Sequence, residues 1–298
     1  MILVTGATGF VGSRLLKRLA ASPGGESLRG TARTIRTENL PAGVDAVTSD
    51  VTKPETLPAA LNGVTTLIHA AAITANLKEP YPDAYRLINE TGTHNLMKAA
   101  GEAGVSRVVL MSGLSAPAQQ GSYMATRLGM EKAVRDCDIP HVILQPSVLF
   151  GDGAEFVTAL AGIARLSPVL PLLGDPELKF QPLWIEDLLR ILEQSITDDR
   201  HLGHAVPIGG PEQVTFKEVL QTICEVMSVR RLLLPLPLPI ARLQARIMAA
   251  LLSRPPLTPA TLELFQFDNS TTLDAVPANF GFQPRGFREH LLAHGVTG

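Results

Sequence analysis

Two short stretches carry residue types that could do chemistry. TGATGFVG places Gly6, Gly9 and Gly12 in a G-x-x-G-x-x-G spacing, after an apolar run and at the start of a helical pattern. Gly6 permits a tight turn, Gly9 lets the backbone approach a pyrophosphate, and Gly12 lets the helix pack closely on the sheet. The free N–H groups at the start of such a helix attract phosphate. The second stretch, SYMATRLGMEK, places Tyr123 four residues before Arg127. Four residues advance about 400° round a helix, so the two share nearly one face, whereas Lys132, nine residues on, advances about 900° and points away. A cation beside a phenol favours the phenolate and can still hydrogen-bond a ligand. Arginine holds its proton to above about pH 12, however, and does not readily pass it on. A tyrosine here can also simply pack.

The dinucleotide expected is NADP(H) rather than NAD(H). NAD-binding proteins usually end the second strand with an acid that hydrogen-bonds the ribose 2′-hydroxyl. Here that strand ends in TARTIR, giving Arg33 and Arg36, and a cation there suits a 2′-phosphate. The bland alternative is a pair of solvated loop charges. Asp50, at the end of the third strand, is either an acceptor for the adenine amino group or a helix-initiating acid.

The elements that must position these residues alternate strand and helix. ILVTG (2–6), SLRGTAR (27–33), VDAVTSD (44–50), TTLIHAA (65–71), SRVVLMSG (106–113) and PHVILQP (140–146) read as strands. Helical patterns follow the first of them, with Val11, Leu15, Leu16 and Leu19 on one face, and run through DAYRLINETGTHNLMKAAGEAG, with Gly104 as its cap. This alternation implies right-handed crossovers and a parallel sheet covered on both faces. The expected fold class is α/β: a Rossmann-type doubly wound parallel sheet with a smaller, mostly helical C-terminal lobe. The expected division is a dinucleotide-binding domain over 1–150 and a substrate or partner lobe over 151–298, partly interleaved with it. In the lobe, helices are expected at 184–196, 215–229, 239–252 and 258–266, with a short strand at HAVPIGG (204–210).

Composition narrows the classes. A chain of 298 residues with 45% hydrophobic residues can bury a sizeable core, and a net charge of −2 gives no field to draw nucleic acid. Cys137 and Cys224 match no ligand spacing and suit a reducing compartment, and the histidines offer no metal-ligand pairing. MILVTG opens as a strand, so no secretory leader is expected, and prolines and arginines interrupt the most apolar run, so no spanning helix is expected. The expected location is cytoplasmic, with peripheral attachment to a membrane as an alternative.

With these residues placed, the chain resembles the short-chain dehydrogenase/reductase superfamily. The resemblance covers its whole length. TGATGFVG, HAA (69–71), NETGTHNL (89–96), a serine after the fifth strand, the tyrosine helix and PSVLFG (146–151) occur in the expected order. FQPLWIEDL, IGGPE and the leucine–proline stretch before PPLTP resemble the atypical or extended branch related to the NDUFA9-like accessory subunit of respiratory complex I. The resemblance implies a Ser–Tyr–Lys set: Tyr123 as general acid/base, Ser112 orienting the substrate (Ser115 is a second candidate), and Asn89 supporting a proton relay. Arg127 stands where a lysine would bind the nicotinamide ribose. Cofactor contacts are implied at Gly6, Thr8, Gly9, Phe10, Val11, Gly12, Arg33, Asp50, Val51, His69, Ala70, Ala71, Tyr123, Arg127, Pro146 and Val148. Gln145 and Trp184 depart from the basic residue and the histidine or tyrosine that relatives tend to carry.

Three functions follow. The first is an NADP(H)-dependent oxidoreductase with an altered Tyr-x-x-x-Arg site, acting on an unknown small molecule, with an apolar one among the candidates. The second is a non-catalytic NADPH-binding accessory protein, favoured by the missing lysine, in which the dinucleotide stabilises the fold. The third is a nucleotide-sugar epimerase or dehydratase, disfavoured by Gln145 because a diphosphate wants cations. In IARLQARIMAALL, Ile240, Leu243, Ile247, Met248, Leu251 and Leu252 form one stripe beside Arg242 and Arg246. That stripe is expected to cover the core or pocket. The alternatives are a substrate channel, a partner surface or an interfacial membrane contact.

Overall fold

The fold was analysed in a computed structural model that describes residues 1–22, 25–114, 122–252 and 255–296. Six of the seven strands of the main sheet lie in the first half: β1 (Ile2–Thr5), β2 (Leu28–Ala32), β3 (Val44–Thr48), β4 (Thr66–His69), β5 (Arg107–Met111) and β6 (His141–Pro146). Beyond them come β7 (Leu149–Phe150), β8 (Val169–Leu173), β9 (Lys179–Phe180), β10 (Leu183–Trp184), β11 (Ala205–Ile208), β12 (Val214–Thr215) and β13 (Leu232–Leu236). The main sheet has the order β11-β6-β5-β4-β1-β2-β3, and every pairing in it is parallel. The chain winds to one side through β2 and β3 and then returns to β4 on the other. The switch between β1 and β4 opens the crevice at which such sheets bind ligands, outside the strands' carboxyl ends.

Helices cover both faces. α1 (Phe10–Ala20), α6 (Ile185–Gln194) and α10 (Ala275–Phe280) lie on one, where Leu15, Leu16, Leu188, Leu189 and Val276 share a core. α2 (Leu57–Leu61), α3 (Gly92–Glu102) and α4 (Tyr123–Arg135) lie on the other, around Leu61, Leu96, Met130 and Val134. The long helix expected before Gly104 divides: Arg86–Thr91 is a π-helical turn that runs into α3, and Gly104 ends it in the left-handed conformation at φ +74°.

HAVPIGG supplies a seventh strand of the main sheet. β11 pairs with β6 at the sheet edge, where Pro207 leaves no ladder position without a donor. Residues between Leu183 and Ile208, well past Gly151, pack into the core under the main sheet. The remaining lobe holds α5 (Glu155–Leu166), α7 (Phe216–Val226), α8 (Leu238–Leu251), α9 (Pro259–Glu263) and α11 (Phe287–His294). Its core is aromatic, with Phe180 set among Phe156, Phe216 and Phe265. Thr215 and Glu218 form a capping box that starts α7. Gln181 stitches the lobe to the sheet: Ser147 Oγ donates to its carbonyl, its Nε2 donates to Gly210 O at 2.7 Å, and its Oε1 accepts from Thr271 N at 2.7 Å.

Candidate active site and dinucleotide cleft

The glycine loop leaves no room for side chains. Gly6 has φ +70°, and a Cβ there would lie 3.0 Å from the backbone of Ala70 and Ala71 at the exit of β4. A Cβ on Gly12 would lie 2.2 Å from the Gly6 carbonyl oxygen. Gly9 precedes α1 without a side-chain cap, and no acid lies in the first turn of that helix. The N–H groups of Phe10, Val11 and Gly12, in the first turn of α1, therefore have no intrahelical partners. Thr8 is exposed, Val11 is buried in the core below, and the Phe10 ring lies under the Arg14 guanidinium, 4.4 Å from its centroid. Arg14 also donates to Asp152 O at 2.7 Å, joining α1 to the loop after β7. Arg33, just past β2, is exposed and has no partner among the described residues, while Arg36 lies 3.4 Å from Glu38. Asp50 Oδ1 accepts from the backbone and hydroxyl of Thr52, at 2.9 and 2.7 Å, as a turn-initiating acid does. Val51 packs on Gly92 and accepts from Asn95. These features fit a dinucleotide: a loop that admits a pyrophosphate, and N–H donors at a helix start without intrahelical partners.

His69 is fully buried, and its imidazole bonds inward rather than toward the crevice. The hydroxyl of Thr93 donates to the Asn89 carbonyl, so its oxygen accepts from His69 Nε2–H at 2.9 Å. That leaves Nδ1 as acceptor from the Thr5 hydroxyl at 2.8 Å, and Thr5 Oγ1 in turn accepts the N–H groups of Ala70 and Ala71. One tautomer satisfies the whole chain. Burial, with the Arg127 charge as a smaller cause, lowers the imidazole from 6.5 to about 3, so it is neutral.

Asn89 continues the network. Its side chain pairs with the backbone of Ile73 through two bonds, at 2.8 and 3.0 Å, and donates to Thr126 Oγ1 at 3.3 Å. Thr126 donates to the Tyr123 carbonyl. A continuous set of bonds thus links the exit of β4 to the first turn of α4.

That turn is held from the C-terminal lobe. Ser122 caps Ala125 N, and the Glu263 carboxylate accepts from Tyr123 N and Met124 N at 3.1 and 3.2 Å. The Tyr123 ring is buried edge-on against Tyr85, with centroids 5.3 Å apart, among Ala75, Ala260 and Phe267. No described residue hydrogen-bonds its hydroxyl. Arg127 is 6% exposed and donates to the carbonyls of Ser112 and Met111 at the end of β5. It has no carboxylate partner among the described residues. Ser112 Oγ donates at 2.7 Å to Glu131, which also accepts from Gln145 Nε2 at 2.7 Å and pairs with Arg135. Lys132 lies on the solvent side with Asp136. Ser115 lies outside the described residues. Pro146 accepts from Leu114 N, and Val148 N donates to Asn269 Oδ1. The Trp184 ring lies between Arg285 and His290, beside Gly151.

The structure therefore gathers the loop, the β4 exit, Ser112, Tyr123 and Arg127 at one edge of the sheet, with Ser112 and Arg127 bonded to neighbours other than Tyr123. Sequence reasoning missed Glu131, Thr5, Thr93 and Glu263. Glu131 had a signal: it lies four residues past Arg127, on the Tyr123 face of a half-buried helix.

Residues 6–162, more than half of the chain, match a family model described as NAD(P)H-binding. The chain belongs to this NAD(P)H-binding family. Its fold is that of the extended short-chain dehydrogenase/reductase group, whose members are oxidoreductase- and epimerase-like. A ceramide reductase of Caulobacter vibrioides is 26% identical over 252 residues, covering 80% of this chain and 74% of that one. The mitochondrial NADH dehydrogenase [ubiquinone] 1 alpha subcomplex subunit 9 of Arabidopsis thaliana is 25% identical over 286 residues, 92% of this chain and 70% of its own. The solved structure of MoeE5 in complex with UDP-glucose and NAD superposes with a TM-score of 0.74 at 22% identity, covering 99% of this chain and 97% of that one. At that identity the likeness is one of fold.

Proposed function

We propose that the protein is an NADP(H)-dependent oxidoreductase acting on an apolar alcohol or carbonyl compound, with Tyr123 as its acid/base. The observation that carries this reading is the Tyr123 environment: a phenol with no hydrogen-bond partner among the described residues, set in an apolar wall at the strand-end edge. Bound NADP(H) supplies the hydride acceptor or donor. Gly6, Gly9 and Gly12 admit its pyrophosphate, and Arg33 pairs with its 2′-phosphate. Tyr123 exchanges the hydroxyl proton of the substrate, and Arg127 holds the end of β5 while adding fixed positive charge. The ceramide reductase relative, by its name, acts on a lipid, which agrees with an apolar wall and no cation at Gln145.

A second reading has its own support. Ser112 is bonded to Glu131, and Arg127 to backbone carbonyls, so the phenol lacks the two neighbours that would poise it. This arrangement favours an accessory protein that holds NADPH as a structural ligand. Turnover separates the two. Wild type and Tyr123→Phe are assayed for NADPH consumption with long-chain aldehydes and ketones. The first reading expects slow turnover that falls about 100-fold or more in Tyr123→Phe, with NADPH affinity unchanged. It also expects Arg127→Lys to raise turnover, and a fall would make arginine the working residue. No turnover by wild type supports the second reading, and turnover that Tyr123→Phe leaves unaffected would remove Tyr123 as the acid/base.

A further inference from the structure

α8 is attached to the protein by its smallest residues. Ala241 and Ala245 are fully buried against the aromatic core of the lobe. The large apolar side chains point outward: Ile240, Leu243, Ile247 and Leu251 are 50%, 60%, 50% and 78% exposed. At about 100° per residue these four fall within an arc of roughly 80°, centred about 140° round the helix from the alanines. Leu232 and Leu234 of the preceding strand and Leu252 just after the helix are exposed as well. Arg242 and Arg246 run along one edge of the stripe, between it and the buried face. Arg242 reaches Gln266, and Arg246 has no partner among the described residues.

Charge identifies the occupant. Between Glu225 and Glu263 the sequence contains Arg230, Arg231, Arg242, Arg246 and Arg254 and not one acid, in a chain whose net charge is −2. We propose that α8 is an interfacial helix that lays its Ile240–Leu251 stripe on an anionic lipid bilayer. A convex stripe edged by arginines suits that surface. The apolar side chains enter the headgroup boundary while the arginine stems lie along it and their heads meet lipid phosphates. The helix is about 21 Å long, which is too short to span a bilayer, and no described helix is long and apolar enough to cross one.

The test uses the full chain in vesicle flotation. Phosphatidylcholine vesicles are compared with vesicles containing about one-third phosphatidylglycerol. The protein is expected to float with the anionic vesicles and to be released by high salt. Leu243→Glu with Ile247→Glu is expected to lower binding at least tenfold, as is Arg242→Gln with Arg246→Gln, while the unfolding midpoint of each variant stays at the wild-type value. Absence of binding to anionic vesicles overturns the proposal, as does binding that both double variants retain. A dimer in ultracentrifugation that Leu243→Glu with Ile247→Glu dissolves, without vesicle binding, would assign the face to a second copy instead.

Discussion

The neutral imidazole of His69 makes stability depend on acidity in a calculable way. Its hydrogen bonds need Nδ1 as acceptor from Thr5 and Nε2–H as donor to Thr93; protonating Nδ1 keeps the second and destroys the first, because Thr5 Oγ1 already accepts two backbone N–H groups. Burial lowers the group from 6.5 to about 3 in the folded protein. The folded state therefore refuses a proton that the unfolded chain accepts. The stabilisation is complete above about pH 6.5 and is lost as pH falls from there toward about 3. Each pH unit in that window costs about 1.4 kcal/mol, so the fall to pH 5 removes ~2 kcal/mol. His69→Gln keeps an amide donor and acceptor and does not titrate. Urea unfolding of both proteins at about pH 7.5 and pH 5 isolates the effect, because His290, also lowered by burial, is common to both. Wild type should lose ~2 kcal/mol more than His69→Gln between the two conditions. Equal losses would mean that His69 takes up its proton in the folded state, and the directed network from Thr5 to Asn89 would be wrong.

Two other substitutions probe the frame of the site. Gly12→Ala puts a Cβ into the Gly6 carbonyl, where only backbone could yield. It should cost about 1–3 kcal/mol and weaken NADPH binding at least tenfold, and unchanged binding in calorimetry would remove the close packing of α1 on the loop from the account. Glu263→Gln removes the charge that caps Tyr123 N and Met124 N, and should cost ~1 kcal/mol in urea unfolding. A change of only a few tenths would show that α4 does not depend on the C-terminal lobe for its start.

The glycine loop and the first six strands were legible in the sequence because each is a local pattern: a short apolar run, a glycine turn, then a helical period. Their observed bounds fall within the expected ones by a residue or two. β11 was legible as a strand but not as part of the main sheet, because its place is set by pairing with β6, some sixty residues away. The directions of buried polar groups were not legible either. Ser112 leaves β5 where expected, yet its hydroxyl goes to Glu131, a partner fixed only by the packing of α4 on the sheet. His69 ends β4 as expected, and its side chain bonds between β1 and α3, a use its sequence context does not reveal. α8 gives the plainest lesson. Of the six residues expected in its stripe, Ile240, Leu243, Ile247 and Leu251 share one exposed face, while half-buried Met248 turns toward the alanines and Leu252 lies past the helix end; the expectation that the stripe covers the core is overturned. Periodicity tells which residues share a face, and the buried alanines show which face turns inward.

The most direct test of NADP(H) binding at the Gly6–Gly12 loop is a calorimetric titration of wild type and Arg33→Ala with NADPH and with NADH. Wild type should bind NADPH at least about tenfold more tightly than NADH, equivalent to ~1.4 kcal/mol. Arg33→Ala should close most of that gap and leave NADH within about twofold, because in the proposed reading Arg33, which has no partner among the described residues, pairs with the 2′-phosphate alone. NADH bound as tightly as NADPH by wild type, or an equal loss for both in Arg33→Ala, would contradict the assignment.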